Sequence, residues 1–183
     1  GHEFCAEVLD YGPRTDGSFP VGTRVVSIPR VPTESGAHIV GYSNRYHGAC
    51  AEHFLLGAQH LLEVPNGLSA QLAALTEPMA VGAHAVARAE VSQNHVCVVI
   101  GCGPVGLAVI AALRAAGHAP IIAADYSAAR RDLAEQMGAD IVVDAANASP
   151  YVHWKDYAVP QGRLEHARLI AQGVQMRPSV IFE

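Results

Sequence analysis

The chain has 183 residues, half of them hydrophobic and 16% charged, with a formal net charge of −5. That length supports one large or two small cores, and the acidic balance argues against nucleic acid as a partner. No apolar run approaches the roughly 20 residues of a membrane span, so no membrane partner is expected.

The opening residues, Gly1-His2-Glu3-Phe4, hold neither a basic region nor an apolar signal core. The four cysteines, Cys5, Cys50, Cys97 and Cys102, follow no metal or redox spacing. They read as reduced thiols, and a cytoplasmic location is expected.

In chain order, the first part holds short β-like runs at 6–10, 22–28 and 50–56, separated by turn signals such as Gly12-Pro13, Asp16-Gly17 and Pro65-Asn66-Gly67. Short strands with close turns predict part of a small barrel-like β domain. A short helix is predicted from an N-cap at Ser69 to Leu75. The composition changes at Glu77-Pro78, which sets the domain division at 1–78 and 79–183.

Beyond it, helices and strands alternate: a helix over 79–90, a strand over 96–100, a helix over 105–116 ending at Gly117, and a strand over 120–124 closed by Asp125. A helix follows from Ser127 to Met137, then a strand over 141–143, a connection over 144–160 carrying Trp154, a helix over 163–172 and the run Val180-Ile181-Phe182. This order predicts a doubly wound parallel sheet with right-handed crossovers, incomplete here. The role of the 144–160 connection stays open.

Gly101-Cys102-Gly103-Pro104-Val105-Gly106 leaves one apolar strand and opens a helix, and Asp125 follows nineteen residues after Gly106. In that context G-x-G-x-x-G is a dinucleotide-binding fingerprint. Gly101 permits the tight turn, Gly103 the approach of a pyrophosphate, and Gly106 the close packing of helix on strand. Pro104 and Val105 open the helix, whose free N–H groups favour phosphates. Asp125 suits the two hydroxyls of an adenosine ribose and repels a 2′-phosphate, so NAD is expected over NADP.

In the first part, His2 and Glu3 are adjacent, and Glu77 stands where the two parts meet. An imidazole with carboxylates suits an open Zn²⁺ site; an exposed His–Glu pair is the other reading. His84, on the helix after Pro78, reads as packed at the junction. Cys102 is either a reactive thiol at a helix N-terminus or a small residue filling a variable loop position. Arg130 and Arg131 read by default as a solvated helix face.

Five stretches in order resemble the zinc-dependent medium-chain dehydrogenases/reductases, the alcohol dehydrogenase superfamily. They are Gly1-His2-Glu3, Gly22-Thr23-Arg24-Val25-Val26, Glu77-Pro78-Met79-Ala80-Val81-Gly82, the Gly101–Gly106 loop, and Met137-Gly138-Ala139-Asp140. The resemblance implies a Rossmann fold for 79–183 and a catalytic domain for 1–78. It implies a zinc-dependent transfer of hydride between an alcohol or polyol and NAD.

His2 would be a zinc ligand, Glu3 a ligand or the acid beside it, and Glu77 the ligand that marks the polyol-dehydrogenase branch. Glu3 and Glu77 are thereby the catalytic acids. Val105, Asp125 and Arg130 match positions that contact NAD. One catalytic zinc, a small alcohol or polyol substrate and a homo-oligomeric parent are also implied.

The departures narrow the reading. The family's cysteine-rich structural zinc lobe corresponds to residues 29–47, which contain no cysteine, so no structural zinc is expected. The usual glycine after the Gly-His-Glu motif is Ala6. The family's first zinc cysteine, its proton-passing hydroxyl residue and its last nucleotide-domain strands have no counterpart in the chain.

The chain therefore reads as an internal, inactive segment of a longer enzyme. Its barrel-like core is expected to be partly open, and Val180–Phe182 to pair on one side only, against 96–100. The alternatives are a zinc-free, quinone-reductase-like oxidoreductase of the same superfamily and a non-catalytic nucleotide-binding fragment.

Overall fold

Val96-Cys97-Val98-Val99-Ile100 has no polar side chain and is rich in β-branched residues, which favour a strand buried on both faces. In the computed structural model, which describes residues 1–34 and 36–183, it is one of four parallel strands. The chain divides into two compact units, Gly1–Pro78 and Met79–Glu183.

The second unit contains strands β6 (Val96–Ile100), β7 (Ile121–Asp125), β8 (Ile141–Asp144) and β9 (Ser179–Phe182), in the order β8-β7-β6-β9. Helices α3 (Pro104–Ala115) and α4 (Ala128–Gln136) make the crossovers from β6 to β7 and from β7 to β8. The chain winds outward from β6 to β8 and then returns to the other side of β6. That reversal is a topological switch point, where open α/β sheets bind ligands beyond the carboxyl ends of their strands.

The sheet's two faces follow from the two-residue period of its strands. Cys97, Val99, Ile121 and Ala123 pack with Val109, Ile110 and Leu113 of α3 and Ala134 of α4. Val96, Val98, Ile122, Ala124 and Val143 face the other way, against Val159, Tyr151, Trp154 and Tyr157.

The 144–160 connection, whose role the sequence left open, thus covers one face of the sheet with aromatic rings. Tyr151 and Trp154 lie 4.6 Å apart between ring centroids. Helix α5 (Arg163–Ala171) has no buried residue, and Leu164 is 91% exposed. As expected, β9 pairs on one side, with β6, among the described residues (Cys97 opposite Val180, Val99 opposite Phe182). Arg177 fastens the approach to β9 by donating to the carbonyls of Asn94, His95 and Ala119.

The first unit is less regular. Strands β1 (Ala6–Glu7), β2 (Arg24–Ser27) and β5 (Leu61–Glu63) form one antiparallel sheet, and β3 (Arg30–Thr33) pairs with β4 (Gly36–Ile39). The strands expected at 6–10 and 22–28 are shortened because the chain turns between them. Gly22 has φ +88°, and the Tyr11 hydroxyl bonds both the N–H and the carbonyl of Phe19.

The run at 50–56 is not a strand. Phe54 in it packs instead, edge-on to Phe4 at 4.9 Å, while Leu55 is exposed. Neither β5 nor the β3–β4 pair was foreseen. A cleft of about 790 Å³ in this unit is lined by Val8, Val25, Val31, Phe54 and Leu56 among others.

Helix α1 (Ala70–Ala73) starts as expected at Ser69, whose hydroxyl accepts from the Leu72 N–H. Helix α2 (Thr76–Arg88) begins three residues before the position expected from Met79, so Glu77 and Pro78 lie in its first turn. Pro78 is tolerated there because first-turn N–H groups have no partner within the helix.

Candidate functional sites

The phosphate-loop geometry follows from three glycines. Gly101 has φ +91°, a left-handed conformation that favours glycine. A Cβ on Gly106 would lie 1.9 Å from the Gly101 carbonyl oxygen, so only glycine lets α3 start this close to β6. Around Gly103, by contrast, nothing lies within 4 Å of where a Cβ would stand. Gly103 is the N-cap of α3, Pro104 follows it, and no side chain caps the helix. The open space and the uncapped helix end together form a cradle for an anion.

Asp125 ends β7 beside this loop and is only 8% exposed. Its Oδ2 accepts from the Cys102 N–H and its Oδ1 from the Ser127 N–H, each at 2.8 Å. Arg130 Nη1 lies 3.7 Å from Oδ2. The Ser127 bond, then the Cys102 bond and the Arg130 charge, hold its carboxyl below the ordinary aspartate value, against the opposing effect of burial. A carboxylate has about four acceptor positions, and these two N–H groups take two of them.

Arg131, assigned by default to a solvated face, is partly buried. It donates to the carbonyls of Asp125 and Tyr126 at 2.9 Å and to Asp144 Oδ2 at 3.2 Å. Asp144 stands opposite Asp125 in the β7–β8 register. The signal available in the sequence was that both acids close parallel strands. Arg130, with its side chain 56% exposed, reaches Asp125 from the solvent side.

Cys102 is fully buried, and burial pushes its thiol up to about 11. The reactive-thiol alternative therefore falls: the group stays protonated and out of reach. Val105 is exposed at the first turn of α3. His84 is exposed rather than packed.

In the first unit, His2, Glu3 and Glu77 come together. Among the described residues, their ligand atoms form a group lying within 4.8 Å of one another. His2 Nε2 is 3.9 Å from Glu77 Oε1, and both side chains are about one quarter exposed. Zinc binds such nitrogen and oxygen donors at ~2.0–2.2 Å, and catalytic sites use three protein ligands with a fourth position open. The donor set fits that requirement. The Tyr42 ring, which sequence reasoning passed over, lies 4.8 Å from the His2 imidazole.

A nucleotide-binding Rossmann unit in a chain that also carries an imidazole–carboxylate donor group defines a dehydrogenase-like architecture. Residues 104–163 match the family model for zinc-binding dehydrogenases. The chain is 35% identical over 160 residues to (R,R)-butanediol dehydrogenase of Bacillus subtilis, covering 83% of this chain and 46% of that protein. It is 32% identical over 158 residues to sorbitol dehydrogenase of the same organism, covering 79% and 44%.

The solved structure of 2R,3R-butanediol dehydrogenase from Bacillus subtilis superposes with a TM-score of 0.75 at 28% identity, over 100% of this chain and 58% of that one. The family model, the curated relatives and this solved structure agree in what the chain is similar to, the zinc-binding dehydrogenases acting on alcohols and polyols. It spans about half the length of the curated relatives it matches.

Proposed function

We propose that this chain supplies the coenzyme site and part of the metal site of an NAD-dependent secondary-alcohol or polyol dehydrogenase, with Met79–Glu183 as the coenzyme domain and Gly1–Pro78 as part of the catalytic domain. The observation that carries the reading is the meeting of His2, Glu3 and Glu77 within 4.8 Å in a chain that also holds an open dinucleotide cradle. The substrate class rests on similarity to butanediol and sorbitol dehydrogenases. A cytoplasmic, homo-oligomeric enzyme with one catalytic zinc belongs to the same proposal. Among the described residues, no helix is long and apolar enough to cross a membrane.

His2 and Glu77 would hold the zinc, with Glu3 as a third ligand or as the acid that tunes it. The metal, when bound, supplies Lewis acidity toward the substrate oxygen. The protein's own contribution is placement. Gly103 and the α3 N-terminus would receive the pyrophosphate, Asp125 the ribose hydroxyls, and Arg130 the adenosine side. Asp125 stays charged at neutral pH, so it would turn away a 2′-phosphate, which supports NAD over NADP.

Elemental analysis of the full-length protein tests the metal reading. One zinc per chain is expected, lost in His2→Ala and in Glu77→Ala. Full-length protein that purifies without zinc yet reduces quinones would favour the zinc-free branch of the superfamily.

A further inference from the structure

We infer that Gly41 and Gly48 are positioning residues that aim the His2 imidazole at the metal; this rests on the zinc reading above. Both have left-handed backbones, with φ +83° at Gly41 and +77° at Gly48. Both also crowd one peptide group, the one joining Gly1 to His2. A Cβ on Gly41 would lie 2.6 Å from the Gly1 carbonyl carbon and 2.9 Å from the His2 nitrogen. A Cβ on Gly48 would lie 2.3 Å from the Gly1 oxygen and 2.9 Å from Gly41 Cα.

The loop that carries the two glycines is itself fixed. Val40 is fully buried and donates its N–H to Pro29, and the Gly41 N–H is bonded to the Tyr46 carbonyl. The Ala49 N–H donates to the Gly1 oxygen at 2.9 Å, which presses the Gly1–His2 peptide onto the glycine pair. Tyr42, next to Gly41, packs against the imidazole.

The size of the displacement decides the matter. Cβ contacts under 3.0 Å are essentially never seen. A methyl group at either glycine therefore drives the His2 backbone away by several tenths of an ångström or more. Metal–ligand distances tolerate only about 0.2 Å. Gly67 provides the contrast: it has φ +90°, and nothing lies within 4 Å of where its Cβ would stand. Alanine there carries the backbone strain without touching the peptide that bears the metal ligand.

The test uses the full-length protein loaded with Co²⁺, reading its visible absorption band and its retention of metal against a chelator, with coenzyme affinity and far-ultraviolet circular dichroism measured in parallel. Gly41→Ala and Gly48→Ala should each weaken Co²⁺ binding at least tenfold and alter the absorption band. Gly67→Ala should stay within twofold, and coenzyme affinity should stay within twofold throughout. Gly48→Asn tolerates a left-handed backbone but keeps the intruding Cβ, so it should behave like Gly48→Ala.

Folded Gly48 variants that keep Co²⁺ within twofold of the parent overturn the inference. So does a Gly67→Ala that loses metal as readily. A Gly48 variant that unfolds where Gly67→Ala does not also counts against it, because the glycine would then hold the unit together rather than aim His2. A parent that binds no Co²⁺ overturns the zinc reading first, and this inference with it.

Discussion

Asp125 carries two loads. Its place at the end of β7 makes it the proposed ribose acid, and that place could be read in the sequence. Its bonds to Cys102 and Ser127 could not, because they depend on where the chain turns after β6 and after β7. Replacing it therefore does more than remove a charge. Asp125→Gly should narrow a preference for NAD over NADP that we place at about tenfold or more, since a charge-assisted bond is worth ~1.5–3 kcal/mol. It should also weaken binding of both coenzymes, because the Cys102 N–H loses its acceptor.

The carboxyl value is lowered by folding, so its stabilising contribution is present above the ordinary aspartate value of about 3.9 and is lost as pH falls through the folded value. The loss of NAD affinity in Asp125→Gly should accordingly be the same at pH 6 and pH 8. Calorimetric titration reads both effects. Equal NAD and NADP affinities in the parent would remove Asp125 from the selecting role.

At the scale of elements, the alternating strands and helices of 79–183 could be read because the strands are largely apolar and three of the helices are followed by a glycine, Gly117, Gly138 or Gly173. The first unit could be read only in outline. Its strands have two to four residues, too short for a two-residue period to stand out, and β3 contains Pro32. His2, Glu3 and Glu77 could be named from their chemistry, but spacing alone left an exposed His–Glu pair as the other reading, since their meeting depends on a fold that spans most of the first unit.

Arg131 shows the converse. Nothing in the pair Arg130-Arg131 tells which side chain turns inward, and the helix phase of α4 decides it. Arg131→Met removes three hydrogen bonds that tie α4 to the ends of β7 and β8. It should cost about 1–3 kcal/mol of stability and loosen the Asp125 turn. Arg130→Met, at a site more than half exposed, should leave stability unchanged and weaken only coenzyme binding. Thermal denaturation with and without NADH separates the two, and equal destabilisation would contradict the division of labour.

At the scale of the molecule, each unit holds one candidate site: the glycine loop before α3 in Met79–Glu183, and the His2, Glu3 and Glu77 donor group in Gly1–Pro78. The most direct test of the central claim is the rate of NADH formation by the full-length protein with a vicinal diol, compared between the parent and Glu77→Ala. The account expects diol-dependent NADH formation in the parent, and a fall of at least a hundredfold in Glu77→Ala with NAD affinity unchanged. Diol oxidation that persists in Glu77→Ala, or a parent that oxidises no secondary alcohol or polyol while turning over quinones, would contradict it.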